Sequence, residues 1–412
     1  MEHKNLKPGK SKSVAAGIMI FLVVVITIML VAIMNAPTRG GAQVMASAQT
    51  YFAEVKQTAL PFLVVVGLGA VILGVLAGIT VYRVWPNQKK RNTLLTAYAF
   101  LTPYLLITCI FTIGVILFAF YISFTHYDIF TEPTWVGLNN YKLAFKGFTD
   151  STQKDFVQSL HNVFWYTLLV VPIQTTLAIG MAVLLNTGVR LKNFFRTIFY
   201  APSVTSSVVI TLIFVWLYLK SGFVNNIMTN LLTPLGLNFQ SVNWLGDPRG
   251  LFQLFGFTIK SSEWYLRGPS IAWMAIMVQN IFTTAPTFMI MFLAALQDIN
   301  PVLYEAAAID GANGWQQFTK ITLPLLRPII LLVIVLGTIG TLQVFDQVYL
   351  ATQGGPLGTS LTPVYLIYRE AMGAQGPINM GYAASLAFIL ALIIFVFTFI
   401  QRRVLEHGTE QY

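Results

Sequence analysis

The chain has 412 residues, of which 56% are hydrophobic and only 10% charged, with a mean hydropathy of +0.70. Soluble globular chains carry nearer a quarter charged residues, so this composition excludes a soluble enzyme, a disordered segment and a coiled coil, and the lone Cys109 excludes a disulfide scaffold. The net charge of +10 marks the cytoplasmic loops of an integral membrane protein rather than a nucleic-acid surface.

A helix crosses a hydrocarbon core of roughly 30 Å with about 20 apolar residues. Eight runs meet that length: Val14–Met34, Ala59–Tyr82, Leu94–Ile122, Val163–Leu185, Ile198–Leu219, Ile271–Leu296, Pro324–Leu350 and Tyr382–Ile400. They are unbroken rather than alternating, which predicts an all-α polytopic protein and not a barrel. The first run follows Lys4, Lys7, Lys10 and Lys12 and imitates a secretory signal, but it is long and Ala46-Ser47-Ala48 lies well beyond its end, so an uncleaved helix is expected. Gly74 and Gly78 in the second run form a Gly-x-x-x-Gly pair of the kind that lets helices approach.

With the N-terminus inside, the inner segments carry 15 of the 25 basic residues and six of the 15 acids, a net +9 against +1 outside. The positive-inside rule therefore places both termini in the cytoplasm. Chemistry is sparse. Gly9-Lys10-Ser11 lacks the leading glycine of a phosphate loop, the histidines His3, His126, His161 and His407 are scattered without metal-ligand spacing, and no nucleophile elbow occurs. An enzyme and a metal site are not expected.

The loop between the sixth and seventh runs does carry a signal. In Asn300-Pro301-Val302-Leu303-Tyr304-Glu305-Ala306-Ala307-Ala308-Ile309-Asp310-Gly311, Asn300 suits an N-cap, Pro301 the first helical position and Gly311 a left-handed end. The loop encodes its own short cytoplasmic helix, slim along its alanines and charged at Glu305 and Asp310. On these grounds alone it is equally a connector or a docking element.

Glu305-Ala306-Ala307, then Asp310-Gly311-Ala312 and Ile321-Thr322-Leu323-Pro324, resemble the EAA loop of ABC importer permeases in the sugar branch that includes the MalF-type maltose and maltodextrin subunits. Trp135 to Tyr141, Trp244 to Pro248, Phe345-Asp346 and Gly354-Gly355-Pro356 support the resemblance. It covers Ala97 to the C-terminus.

The resemblance implies a six-helix permease core, residues 94–412 with the EAA loop at 297–323, preceded by a tail and two accessory helices in 1–93. It implies a second EAA permease of the MalG kind, two ATP-binding subunits that hold the ATP and magnesium, an extracytoplasmic sugar-binding protein, and a coupling role for Glu305, Ala306, Ala307, Asp310, Gly311, Leu323 and Pro324. No cofactor is expected in this chain. Two departures stand out: the large external insertion of the enterobacterial MalF is missing, and Leu251 to Pro269 lengthens the loop before the sixth run.

A sugar crossing lipid exchanges water hydrogen bonds for protein ones, which side-chain amides supply. Asn280, Thr283, Thr284 and Thr287 share one face of the sixth run, and Gly340, Gln343, Asp346 and Gln347 one face of the seventh. Intramembrane amides and acids are costly and mark pathways, so Asn280, Thr283, Thr284, Gln343 and Asp346 are the candidate sugar pathway. The resemblance adds that Asn280, counted back from Glu305, aligns with a sugar-contacting asparagine. Ser203, Ser206, Ser207 and Thr211 in the fifth run read as helix packing, and Trp244, Trp264 and Tyr265 as interfacial anchors. The rival reading is an ion-coupled secondary transporter, which needs ionisable groups inside the bilayer, and Asp346 alone offers one. A scaffold without transport would leave the polar stripes without a purpose.

Overall fold

The computed structural model describes residues 88–406 apart from 151–153, 188–190, 237–238, 255, 257 and 259–264. The first two expected spans, with Gly9-Lys10-Ser11 and the Gly74/Gly78 pair, lie outside the described residues, as does Trp264. The chain separates into two compact units, Met1–Ala119 and Phe120–Tyr412.

In the first unit helix α1 (Gln88–Ile107) runs through Pro103 into a π-helical turn, Thr108–Gly114, and α2 (Val115–Ile122) follows. The second unit continues with a two-stranded antiparallel ribbon, β1 (Thr125–His126) and β2 (Thr134–Trp135), then α3 (Asn139–Phe145). After these come α4 (Asp155–Asn186), α5 (Lys192–Val204), α6 (Ser207–Leu217), α7 (Phe223–Leu232), α8 (Ile271–Gln297), α9 (Val302–Ile309), α10 (Gly314–Gln317), α11 (Arg327–Leu342), α12 (Asp346–Ala351), α13 (Pro363–Met372) and α14 (Met380–Glu406).

Among the described residues five helical stretches are long and apolar enough to cross a membrane, and a sixth is obtained if the bent pair α5 and α6 is one span. That agrees with the six spans expected after Leu94.

Two expected continuous helices are broken. The fifth run turns by 95° between Val204 and Ser207. Pro202 lies in the last turn of α5 and has no amide hydrogen for the Ile198 carbonyl, and beyond it the Thr205 hydroxyl takes up the Ala201 carbonyl at 2.8 Å. The seventh run stops at Leu342, passes through Gln343 and Phe345 in non-helical geometry and restarts at Asp346. Here the Thr362 hydroxyl donates to the freed Val344 carbonyl at 3.1 Å. Irregular backbone inside a membrane survives where such partners exist.

The core is a helix bundle with α4 at its centre, packed along α8 and against α11. One cluster gathers Tyr166, Trp273, Leu342, Val344, Leu366 and Leu386, and a second gathers Ala182, Met289, Phe292, Leu326 and Val333. Trp273 is fully buried with its ring 4.5 Å from Tyr166, and its indole N–H donates to the Asn162 carbonyl at 2.8 Å. Gly381 sits where α14 meets the ribbon. A Cβ there would lie 2.0 Å from the Thr125 carbonyl oxygen.

The motifs flanking the bundle have structural work. Asn140 of the Trp135–Tyr141 motif is buried and donates to the carbonyls of Ser123 and Thr125 at 3.0 and 2.8 Å. Asn162 of α4 donates to the carbonyls of Gly358 and Leu361, both at 2.9 Å, tying down the segment after Gly354-Gly355-Pro356.

Trp244 is half-buried and donates its indole N–H to Asn225 Oδ1 at 3.0 Å, so it is a structural anchor of the loop after α7. Asn225 also accepts the Val242 amide at 3.1 Å and donates to the carbonyls of Lys220 and Val242. Asn225→Leu would strand those groups at about 1–3 kcal/mol for each one left unsatisfied. Thermal unfolding in detergent should show the midpoint falling by several degrees, and an unshifted midpoint would remove this anchor from the account.

Candidate functional site

The loop leaving α8 folds as the capping residues require. Asn300 Oδ1 accepts the Val302 amide at 3.1 Å just ahead of α9. At the far end Gly311 takes φ +80°, its N–H donates to the Ala308 carbonyl at 3.1 Å and the Ala312 N–H to the Ala307 carbonyl at 2.9 Å. This paired closure with a left-handed glycine is the Schellman ending. A side-chain exchange between Asn313 and Gln316, at 2.8 and 2.9 Å, caps α10 directly afterwards.

No residue of α9 is buried. Val302, Leu303, Ile309 and Trp315 are exposed, with Ile309 88% accessible, and Glu305, Ala306, Asp310 and Gly311 are exposed beside them. Among the described residues neither Glu305 nor Asp310 belongs to an ion pair. Ala307, Leu323 and Pro324 are half-buried, and the loop is pinned to the bundle by the Tyr304 and Thr322 hydroxyls at 2.8 Å. The result is an exposed apolar and acidic knob that is left uncovered by the other described residues.

The candidate pathway residues divide. Asn280 is buried, 8% accessible, and keeps a 3.5 Å contact between its Oδ1 and the Thr284 hydroxyl. Thr283 turns its hydroxyl back to the Asn280 carbonyl at 2.9 Å. Thr284 faces α4, where its hydroxyl reaches Gln174 Oε1 at 2.6 Å. Gln343 and Asp346 are exposed in the isolated chain, at and just after the end of α11. Because the helix breaks between them, Gly340 and Asp346 do not share the single helical face expected from spacing.

The packing reading of the fifth run holds at two positions. Ser207 Oγ donates to Asp346 Oδ2 at 2.7 Å, and one turn on, Thr211 Oγ1 accepts from Gln279 Nε2 at 2.6 Å. Helix α6 thereby ties the start of α12 to the residue preceding Asn280.

Two neighbours of the candidate pathway carry no motif in the sequence. Gln174 and Gln279 are buried amides, 1% and 2% accessible, and each bridges to another helix. A Cβ on Gly337 would come within 2.6 Å of Gln174 Nε2, so α11 approaches α4 closely because residue 337 has no side chain. Gln174 sits in the middle of an apolar run, and its amide is the signal that could have singled it out.

The family model described as "Binding-protein-dependent transport system inner membrane component" matches residues 174–406, which hold α9 and every candidate pathway residue. The chain belongs to that family. Among its relatives, a probable ABC transporter permease protein YesP of Bacillus subtilis is 32% identical over 76% of this chain and 91% of its own length. The lactose transport system permease protein LacF of Rhizobium radiobacter is 33% identical over 60% and 74%. The trehalose/maltose transport system permease protein MalF of Thermococcus litoralis is 29% identical over 74% and 93%.

In fold, the chain is similar to a bacterial alginate ABC transporter solved in complex with an alginate pentasaccharide-bound periplasmic protein. The TM-score is 0.59 at 25% identity, covering 78% of this chain and 96% of that one. The chain thus belongs to a family of membrane-spanning transport components, and the relatives named above are permeases.

Proposed function

We propose that the chain is the permease subunit of an ATP-driven sugar importer, allied to the MalF-type subunits, and moves its cargo inward by alternating access. The observation that carries this reading is α9. An exposed apolar and acidic knob on a Schellman-capped helix is suited to seat in a cleft of another protein and transmit its movement. Family membership, with relatives named for lactose and for trehalose and maltose transport, supports a sugar as cargo.

In this reading Glu305, Ala306, Ala307, Asp310, Gly311, Leu323 and Pro324 form the coupling surface to one of two ATP-binding subunits, which carry the ATP and magnesium. A second EAA permease completes the pathway, and an extracytoplasmic binding protein delivers the sugar. Residues 94–412 are the permease core and 1–93 an accessory segment. The charge difference of +9 against +1 supports a cytoplasmic position for both termini and for α9. Asn280, Gln343 and Asp346 meet the sugar, while Thr283 and Thr284 shape α8 around Asn280.

Single cysteines test the orientation. In intact cells a cysteine replacing Glu305 is expected to resist an impermeant thiol reagent, and one replacing Lys146 to react. Labelling at position 305 would reverse the topology and remove α9 from the ATPase side.

Broken helices and one carboxylate within a span are also what an ion-coupled carrier uses. The energy source separates the two readings.

A further inference from the structure

The break in α11 leaves more than an acid exposed. Asp346 opens α12, and Tyr349 lies three residues on, so the two side chains share one face of that helix. A carboxylate within a span faces a watery cavity rather than lipid, and Tyr349, 38% accessible, faces the same way. Its ring is stacked on Phe345 with centroids 5.4 Å apart and planes 16° from parallel. Tyr368 closes edge-on against both rings at 5.3 Å, with the buried Tyr365 behind.

The platform is thus rigid on one side and open on the other. Asp346 is held by the Ser207 hydroxyl at one oxygen, and among the described residues no cation pairs with it. Gln343, exposed just before the break, adds an amide.

An aromatic face beside a carboxylate and an amide suits a pyranose or furanose ring, whose C–H face is apolar and whose hydroxyls donate to carboxylate oxygens. We infer that Tyr349, backed by Phe345, is the ring platform of a sugar subsite in which Asp346 accepts the hydroxyls, and that this subsite takes neutral sugars and refuses uronates. A second carboxylate brought close to Asp346 meets like-charge repulsion, with no cation among the described residues paired to Asp346 to offset it. The preference is opposite to that of the similar solved transporter, whose cargo is the acidic polysaccharide alginate. The inference rests on the sugar-permease reading.

The complete transporter in proteoliposomes, with its binding protein and ATP, tests it. Maltose, trehalose, lactose and an arabino-oligosaccharide serve as neutral probes, and the one best transported is carried forward. Tyr349→Phe should leave its KM nearly unchanged, whereas Tyr349→Ala should raise KM about tenfold, the loss expected for about 1.4 kcal/mol of ring contact. In both variants the ATP-binding subunits should still co-purify.

In a second arm, an alginate oligosaccharide is titrated into the purified permease–ATPase complex. It should not bind the parent and should bind Asp346→Asn.

Tyr349→Ala with parental KM, or alginate binding to the parent as tightly as the neutral sugar, would overturn the subsite while sugar transport stood. If the parent moved none of the neutral probes on ATP, the sugar-permease reading and the subsite would fall together.

Discussion

Gly311→Pro is expected to abolish sugar uptake and to release the ATP-binding subunits while the permease stays in the membrane. Gly311 ends α9 at φ +80° and donates its N–H to the Ala308 carbonyl at 3.1 Å. Proline is confined to φ near −65° and has no N–H, so both features are lost at once and Ala312 can no longer close onto Ala307. Alanine at the same place has open space around its Cβ and meets only the left-handed backbone cost, roughly 1–2 kcal/mol.

A graded series, with glycine above alanine and alanine far above proline, would assign the defect to the helix ending rather than to lost contact. Glu305→Lys, which reverses a charge on the exposed face, should weaken ATPase association without changing the bundle. Co-purification and uptake in the same preparations provide the readout. Undiminished transport with both changes present would leave α9 a connector.

The reverse phenotype is expected at the pathway. Asn280→Leu or Gln343→Leu leaves a sugar hydroxyl without its protein partner, at a cost of about 1–3 kcal/mol, or roughly 5- to 150-fold in affinity. Neither residue touches α9, so the ATP-binding subunits should co-purify normally. Gln174→Leu extends the test. It removes the acceptor for Thr284 at 2.6 Å, which shapes the α8 wall beside Asn280, and should weaken sugar binding less than Asn280→Leu does. If Asn280→Leu and Gln343→Leu both carried sugar with parental affinity and rate, the polar faces would be packing surfaces and the binding site would lie elsewhere.

Much of this architecture is legible in the residues because membrane crossing imposes a length and an apolar surface. Helices α4, α8 and α14 contain the runs read at Val163–Leu185, Ile271–Leu296 and Tyr382–Ile400, and α4 and α14 extend past both ends of theirs, since a helix continues beyond the hydrocarbon as long as its hydrogen bonds do. The cap residues Asn300 and Gly311 are local chemistry and act locally, so the α9 ending follows from six consecutive residues.

The breaks after Val204 and Leu342 are different. Each is stabilised by a hydroxyl that meets a freed carbonyl, Thr205 to Ala201 and Thr362 to Val344, and the second partner comes from 18 residues away. Hydropathy averaged along the chain runs straight across such breaks, because the few polar residues within them, Thr205, Ser206 and Gln343, are outweighed by the apolar residues on either side. For the same reason Gln174 and Gln279, single amides in apolar runs, declare their roles only when their partners Thr284 and Thr211 are brought alongside.

What energises the movement separates an ATP-driven importer from an ion-coupled carrier. Proteoliposomes holding the permease, its partner permease and the ATP-binding subunits, with binding protein and labelled sugar on the side of the binding protein, should accumulate sugar when ATP is supplied to the opposite side. Collapse of proton and sodium gradients should leave that uptake unchanged, and a hydrolysis-defective ATP-binding subunit should stop it. Uptake that persisted with the defective ATPase and ceased when the ion gradients were collapsed would contradict the account, and would make Asp346 the ion-coupling group of a secondary transporter.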